Sequence, residues 1–217
     1  MKKICFIGFL SVLFVSASFA QPKIGVTAGL NASKLNVSGE GAPSFNFKAG
    51  FQAGVIADFA ITENFSIMPE LLFGQRGTKY KESTVEKGIP VDATVSMTLN
   101  YLQLPVNAAY KFDVGSGSKV FVFAGPYFGY GLSSKAKAKA KAQGTEISVP
   151  MNDQFKFGSG VDEIKPFDFG LNVGVGYMYE KVFFKLQYNQ GLINMNNDSD
   201  GTVKNMNLAV TVGYFFN

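Results

Sequence analysis

Residues 166–179 read PFDFGLNVGVGYMY. Phe167, Phe169, Leu171, Val173, Val175, Tyr177 and Tyr179 take every second position, with Asp168, Gly170, Asn172, Gly174 and Gly176 between them. Successive side chains of a strand point to opposite faces, so a period of two predicts a strand with one bulky apolar face and one small or polar face. The fold turns on which of these faces is the outside.

The same alternation recurs outward from this stretch in both directions. Ile24, Val26, Ala28 and Leu30 oppose Gly25, Thr27, Gly29 and Asn31, and Phe47, Phe51, Val55 and Phe59 oppose Lys48, Gly50, Gln52, Gly54 and Asp58. Phe65, Ile67, Leu71 and Phe73 oppose Ser66, Glu70, Gly74 and Arg76, while Leu102, Leu104, Val106, Tyr110 and Phe112 oppose Gln103, Asn107 and Lys111. Residues 119–132 are apolar on both faces at first, then set Phe128, Tyr130 and Leu132 against Gly129 and Gly131. Toward the C-terminus, Val182, Phe184, Leu186, Tyr188 and Leu192 oppose Lys185, Gln187 and Asn189. In the last segment Met206, Leu208, Val210, Val212, Tyr214 and Phe216 oppose Asn205, Asn207, Thr211 and Gly213. Eight strands in one all-β domain over residues 21–217 are predicted.

The connections alternate in length. Residues 61–64, 113–118 and 180–181 are short, and residues 36–44, 80–92, 134–165 and 194–201 are long. Short turns on one rim and long loops on the other are the pattern of an antiparallel up-and-down barrel that crosses the outer membrane, with turns in the periplasm and loops outside.

Composition narrows the function. Lys2 and Lys3, the apolar run 4–15 and the small residues Ser18 and Ala20 predict a secretory signal peptide over residues 1–20. The sole cysteine, Cys5, lies in that segment, so neither a disulfide nor thiol chemistry is expected of the mature chain. The protein has no histidine, which removes histidine triads, bases and metal ligands, and no catalytic residue, metal site or cofactor is expected. The 20 basic side chains, less Lys2 and Lys3, stand against 16 acidic ones, too even a balance to suggest a nucleic-acid partner. No mature segment is long and apolar enough for a spanning helix, so a membrane crossing would have to be made by strands.

Residue type decides which face is wet. A secreted lipocalin-like barrel also has eight alternating strands, but its polar exterior should be rich in Lys and Glu. Here the polar face is mostly Gly, Asn, Gln, Thr and Ser, which suits the narrow bore of an eight-stranded barrel. Phe59, Phe65, Tyr110, Phe112, Tyr177, Tyr179, Phe184, Tyr214 and Phe216 gather near the short-turn ends, as in the aromatic girdle of a bilayer interface. The outer membrane of a Gram-negative bacterium is the expected location.

Several stretches resemble the PorT-like outer-membrane β-barrel family: GVTAGLNASKL, GFQAGVIADFAITENFSIMPELLFGQRGTKY, LNYLQLPVNAAYKF, AGPYFGYGLSSKAKAK, FDFGLNVGVGYMY and YNQGL. The resemblance implies an eight-stranded membrane barrel and little about activity. Certain members are linked to a protein-secretion system, to which nothing in these residues points. Barrels of this kind usually end on an aromatic residue, whereas here Phe216 is penultimate and Asn217 is last.

Two candidate sites remain. Lys48, Asp58, Glu70, Arg76, Lys111, Asp168 and Lys185 are the inward-facing charges, and they are expected to form an ion-pair network that plugs the bore; a narrow channel or small-ligand carrier is the alternative. The loop acids Asp153, Asp162, Glu163, Asp198 and Asp200 match no calcium-binding spacing. The second site is SSKAKAKAKAQG, residues 133–144. Lys135, Lys137, Lys139 and Lys141 are expected to continue the small face of Gly129, Gly131 and Ser133 without a break, on a two-stranded ribbon turned at Gln143 and Gly144 and returning through TEISVP. The expected partners are outer-membrane lipids, with lipopolysaccharide phosphates or acidic glycans on the lysine face, and envelope proteins are a further possibility. A monomer is expected.

Overall fold

The computed structural model describes residues 21–38, 45–86, 89–142, 145–150, 156–160, 163–197 and 201–217. The predicted signal segment 1–20 and the turn at Gln143 and Gly144 lie outside the described residues. The strands are β1 (Lys23–Ser38), β2 (Asn46–Ala60), β3 (Phe65–Glu86), β4 (Ile89–Gly115), β5 (Ser118–Ala142), β6 (Thr145–Pro150), β7 (Phe167–Tyr179), β8 (Val182–Gly191) and β9 (Thr202–Phe215). The ladder runs β4-β3-β2-β1-β9-β8-β7-β5, and β4 also pairs with β5, closing a ring of eight antiparallel strands. β6 adds to β5 outside the ring. Closure satisfies the backbone within the sheet, as a membrane-spanning sheet requires.

Burial is inverted relative to a soluble barrel. On β7, Leu171, Val173, Val175, Tyr177 and Tyr179 are exposed, while Asp168, Asn172 and Met178 are buried. The other barrel strands repeat this, with Asn, Gln, Thr and charged residues prominent in the buried set. The apolar face is therefore the outside, which rules against the lipocalin-like alternative. Of the girdle residues, Tyr110, Phe112, Tyr177, Tyr179, Phe184, Tyr214 and Phe216 are exposed near the short turns, and Phe59 and Phe65 are half-buried there.

Three expectations are corrected above the barrel. Residues 80–92, read as a loop, are paired strand: the β3–β4 ladder runs without interruption from Tyr80 opposite Val95 to Glu86 opposite Ile89. The lysine segment is not part of a two-stranded ribbon. It pairs with β4 on one side and β6 on the other, inside a four-stranded sheet β3–β4–β5–β6. The lysines also change face. Tyr101 of β4 lies opposite Gly131 and Asn100 lies opposite Ser133, so Leu132 is one extra residue on β5. A one-residue bulge inverts every side chain beyond it. Ala136 is consequently buried, and Lys135, Lys137, Lys139 and Lys141 are exposed on the outer face.

With 22, 27 and 25 residues, β3, β4 and β5 far exceed the other strands. About 9–11 residues cross a bilayer, so these three strands continue well beyond it. Between barrel wall and axis lie two apolar clusters, one near each end of the bore.

Candidate functional site

The bore is filled at three levels. Its periplasmic floor is apolar: Ile56, Met68, Ala109, Phe121, Phe123, Met178, Phe183 and Phe215 pack together. The rings need room, and glycines on the neighbouring strand provide it. Phe121 pairs with Gly176, Phe123 with Gly174 and Phe183 with Gly213. A Cβ on Gly176 would lie 2.1 Å from the Phe121 ring, and one on Gly213 would lie 2.0 Å from that of Phe183. The small face of β7 is thus the socket for aromatic side chains of β5.

The middle level is polar. Lys185 Nζ on β8 donates to Glu70 Oε1 on β3 at 2.5 Å, across the bore. Beneath the floor, at the periplasmic rim, Lys111 on β4 pairs with Asp58 on β2. Arg76 on β3 reaches Asp168 Oδ2 on β7 at 3.3 Å and Gln103 Oε1 at 2.8 Å, with its guanidinium 4.9 Å from the centre of the Tyr127 ring. Asp168 Oδ2 also accepts from Tyr127 Oη at 3.0 Å and Asn205 Nδ2 at 2.8 Å. Six of the seven predicted inward charges are thus drawn into three ion pairs. Lys48 stands apart, half-buried near the extracellular end of β2 and in register with Ser33.

A belt of asparagines runs to the Glu70–Lys185 pair. Asn207 on β9 donates to Asn189 on β8 at 3.1 Å, Asn189 donates to Asn172 on β7, and Asn172 donates to Asn107 on β4 at 3.3 Å. Asn107 Nδ2 then lies 3.5 Å from Glu70 Oε1. The sequence reading placed Asn107, Asn172, Asn189 and Asn207 on the inner face but missed that they form a unit. The signal was available, as asparagine on the inner faces of four strands. The reading also missed the aromatic floor, because residues 119–124 are apolar on both faces and alternation cannot orient them.

The extracellular mouth is closed by the segment around Phe157. Phe157, Ile164 and Val203 pack on Leu35, Met97, Leu99, Tyr101 and Met195. The Phe157 and Tyr101 rings meet edge to face at 5.5 Å. Asn197 Nδ2 ties the segment down, donating to the carbonyls of Gly158, Gly160 and Glu163 at 3.1, 3.0 and 2.8 Å. Glu163 Oε2 accepts from Gly160 N at 2.7 Å, a local contact. Asp153, Asp162, Asp198 and Asp200 lie outside the described residues.

A family model described as the outer membrane protein beta-barrel domain matches residues 19–197. The chain belongs to that family. No curated protein matches it. Among solved structures it is similar to Neisserial surface protein A, at 17% identity and a TM-score of 0.44, covering 91% of this chain and 100% of that one. It is also similar to OprG of Pseudomonas aeruginosa, at 11% identity and a TM-score of 0.44, covering 91% and 97%. A third similarity is to the attachment invasion locus protein Ail of Yersinia pestis, solved with the heparin analogue sucrose octasulfate, at 13% identity and a TM-score of 0.40, covering 91% and 100%.

Proposed function

We propose that this outer-membrane barrel is a closed, non-enzymatic interaction protein of the Gram-negative envelope, and that its working surface is the β3–β6 sheet above the bilayer. The observation that carries the reading is the filled bore. An aromatic floor, a layer of paired charges and amides, and an apolar cap succeed one another along the axis, with the Lys111–Asp58 pair beneath the floor. Interior side chains alone suffice to fill an eight-stranded barrel. A buried charge without a partner costs several kcal/mol, so the three ion pairs serve first to make the fill stable. The sheet is the second support, since three strands extend past the length a crossing needs. The narrower likeness to PorT-like barrels, carried by NFSIMPELLFGQRG and LNYLQLPV, belongs to this proposal. Conductance of the purified protein in planar bilayers tests it: steady porin-like currents from the wild type would rule it out.

A small-ligand carrier is the second reading. Asn31, Gln187 Oε1, Asn207 Oδ1 and Thr211 Oγ1 are buried without a hydrogen-bond partner among the described residues. Buried polar atoms of this kind are ordinarily paired, to protein, water or ligand. Co-purified small molecules, sought by mass spectrometry of the native protein, distinguish a carrier from a hydrated plug.

A further inference from the structure

The bulge at Leu132 builds a surface that alternation alone does not predict. Cross-strand partners share a face, so the outer face of the sheet reads as rows. Where the bilayer-facing residues end, Phe73, Leu102 and Tyr130 lie side by side. The next row is Gln75–Asn100–Ser133, in which Asn100 Nδ2 donates to Ser133 Oγ at 2.9 Å. Above it come Gly77–Thr98–Lys135, Lys79–Ser96–Lys137 and Lys81–Thr94–Lys139. Asp92 enters in the row after, opposite Lys141, where its Oδ1 accepts from Ser83 Oγ at 2.7 Å.

Five lysines therefore stand on β3 and β5, on either side of a hydroxyl floor on β4, in rows whose β3–β5 positions hold no carboxylate. The two lysine files are about 10 Å apart, twice the strand spacing, and the lysines repeat about every 7 Å along each file. Both distances are near or within the roughly 8 Å Debye length of physiological salt, so the charges repel one another. An anion seated over Ser96 and Thr94 would accept from a hydroxyl beneath and from ammonium groups on both sides. A depression of about 360 Å³ lies at the upper end, lined by Lys81, Lys139 and Lys141 together with Ser83, Ala93, Thr94 and the carboxylates Glu82 and Asp92.

We propose that this face binds the phosphate groups of the phosphorylated glycolipid of the outer leaflet. Two observations select that occupant. The face is complementary to closely spaced phosphates in charge and in hydrogen-bond donors. It is also the direct upward continuation of the lipid-facing columns Leu71–Phe73, Leu104–Leu102 and Phe128–Tyr130, so it begins where acyl chains end and headgroups start. The inference rests on the interaction-barrel reading and names the partner class.

The test is binding of purified lipopolysaccharide to the full-length protein in nanodiscs, at low and high salt. Binding should weaken with salt, and lipopolysaccharide stripped of phosphate should bind about tenfold or more weakly. K79Q/K81Q/K137Q/K139Q should lose about tenfold or more, while K23Q/K119Q at the opposite rim should stay within about twofold of wild type. Undiminished binding by the quadruple variant or of the dephosphorylated glycolipid would overturn the proposal. Inorganic polyphosphate separates the sources of phosphate: it should bind more weakly than the glycolipid, and tighter binding would overturn the assignment to lipid. Each variant is first checked for the heat-dependent gel shift of a folded barrel. A conducting wild type would sink the closed-barrel reading alone, whereas indifferent lysines would sink this inference alone.

Discussion

Arg76 is the only arginine in the protein, and the bore shows what a guanidinium does there that a lysine would not. It donates in two directions, to Asp168 and Gln103, while its flat face lies over Tyr127. Arg76→Ala removes the ion-pair partner of Asp168, a side chain that is 0% exposed. We expect a loss of about 3–5 kcal/mol in urea-induced unfolding from lipid vesicles, with partial recovery in R76A/D168N. A stability change below about 1 kcal/mol, near the error of such measurements, would remove Arg76 from the plug. The glycine sockets give a second expectation. Gly176→Val should destabilise by about 1–3 kcal/mol through overpacking, and Phe121→Ala in the same chain should restore part of it. Additive losses in the double variant would contradict the socket. At this scale the sequence shows which charges point inward, because alternation orients them. It does not show who pairs with whom: Glu70 meets Lys185 and Arg76 meets Asp168 across the bore, between strands that are not neighbours.

The instructive element is β5. Residues 128–132 obey the alternation that reveals the barrel, and the strand above inverts that alternation at Leu132. Nothing in SSKAKAK marks the change, since a bulge needs only one extra residue and a serine or leucine tolerates it. Residues 80–92 hid for a related reason. Alternation is a signal of two unlike environments, and above the bilayer both faces of the β3–β4 hairpin are wet. Lys79, Lys81 and Ser83 stand on one face and Tyr80, Glu82 and Thr84 on the other, with no apolar period to read. Deleting Leu132 should remove the bulge and leave the pairing above it intact, with Asn100 opposite Ser133 and Thr98 opposite Lys135, so the lysines keep the outer face. Limited proteolysis and lipopolysaccharide binding of the variant should then match the wild type. New cuts in β5 and β6, with weakened lipopolysaccharide binding, would mean that the register above the bilayer needs the extra residue.

For the whole molecule, the inverted burial and the closed ring imply that the fold is stable only as a membrane barrel, with the backbone paired around the full circle. Unboiled and boiled samples should run differently in detergent gels, and identical mobility would speak against closure. Strand number, wall orientation and the girdle were legible because the bilayer imposes them on every strand alike. The three-level fill was not, since it depends on which inner residues meet at one height, and strand pairing sets that. That fill is the centre of the account: floor, paired charges and cap succeed one another along the bore among the described residues. Single-channel recording of the wild-type protein in planar bilayers tests it most directly. The predicted record is a quiet baseline with no steady open level, and a persistent, ohmic, porin-like conductance would contradict the account.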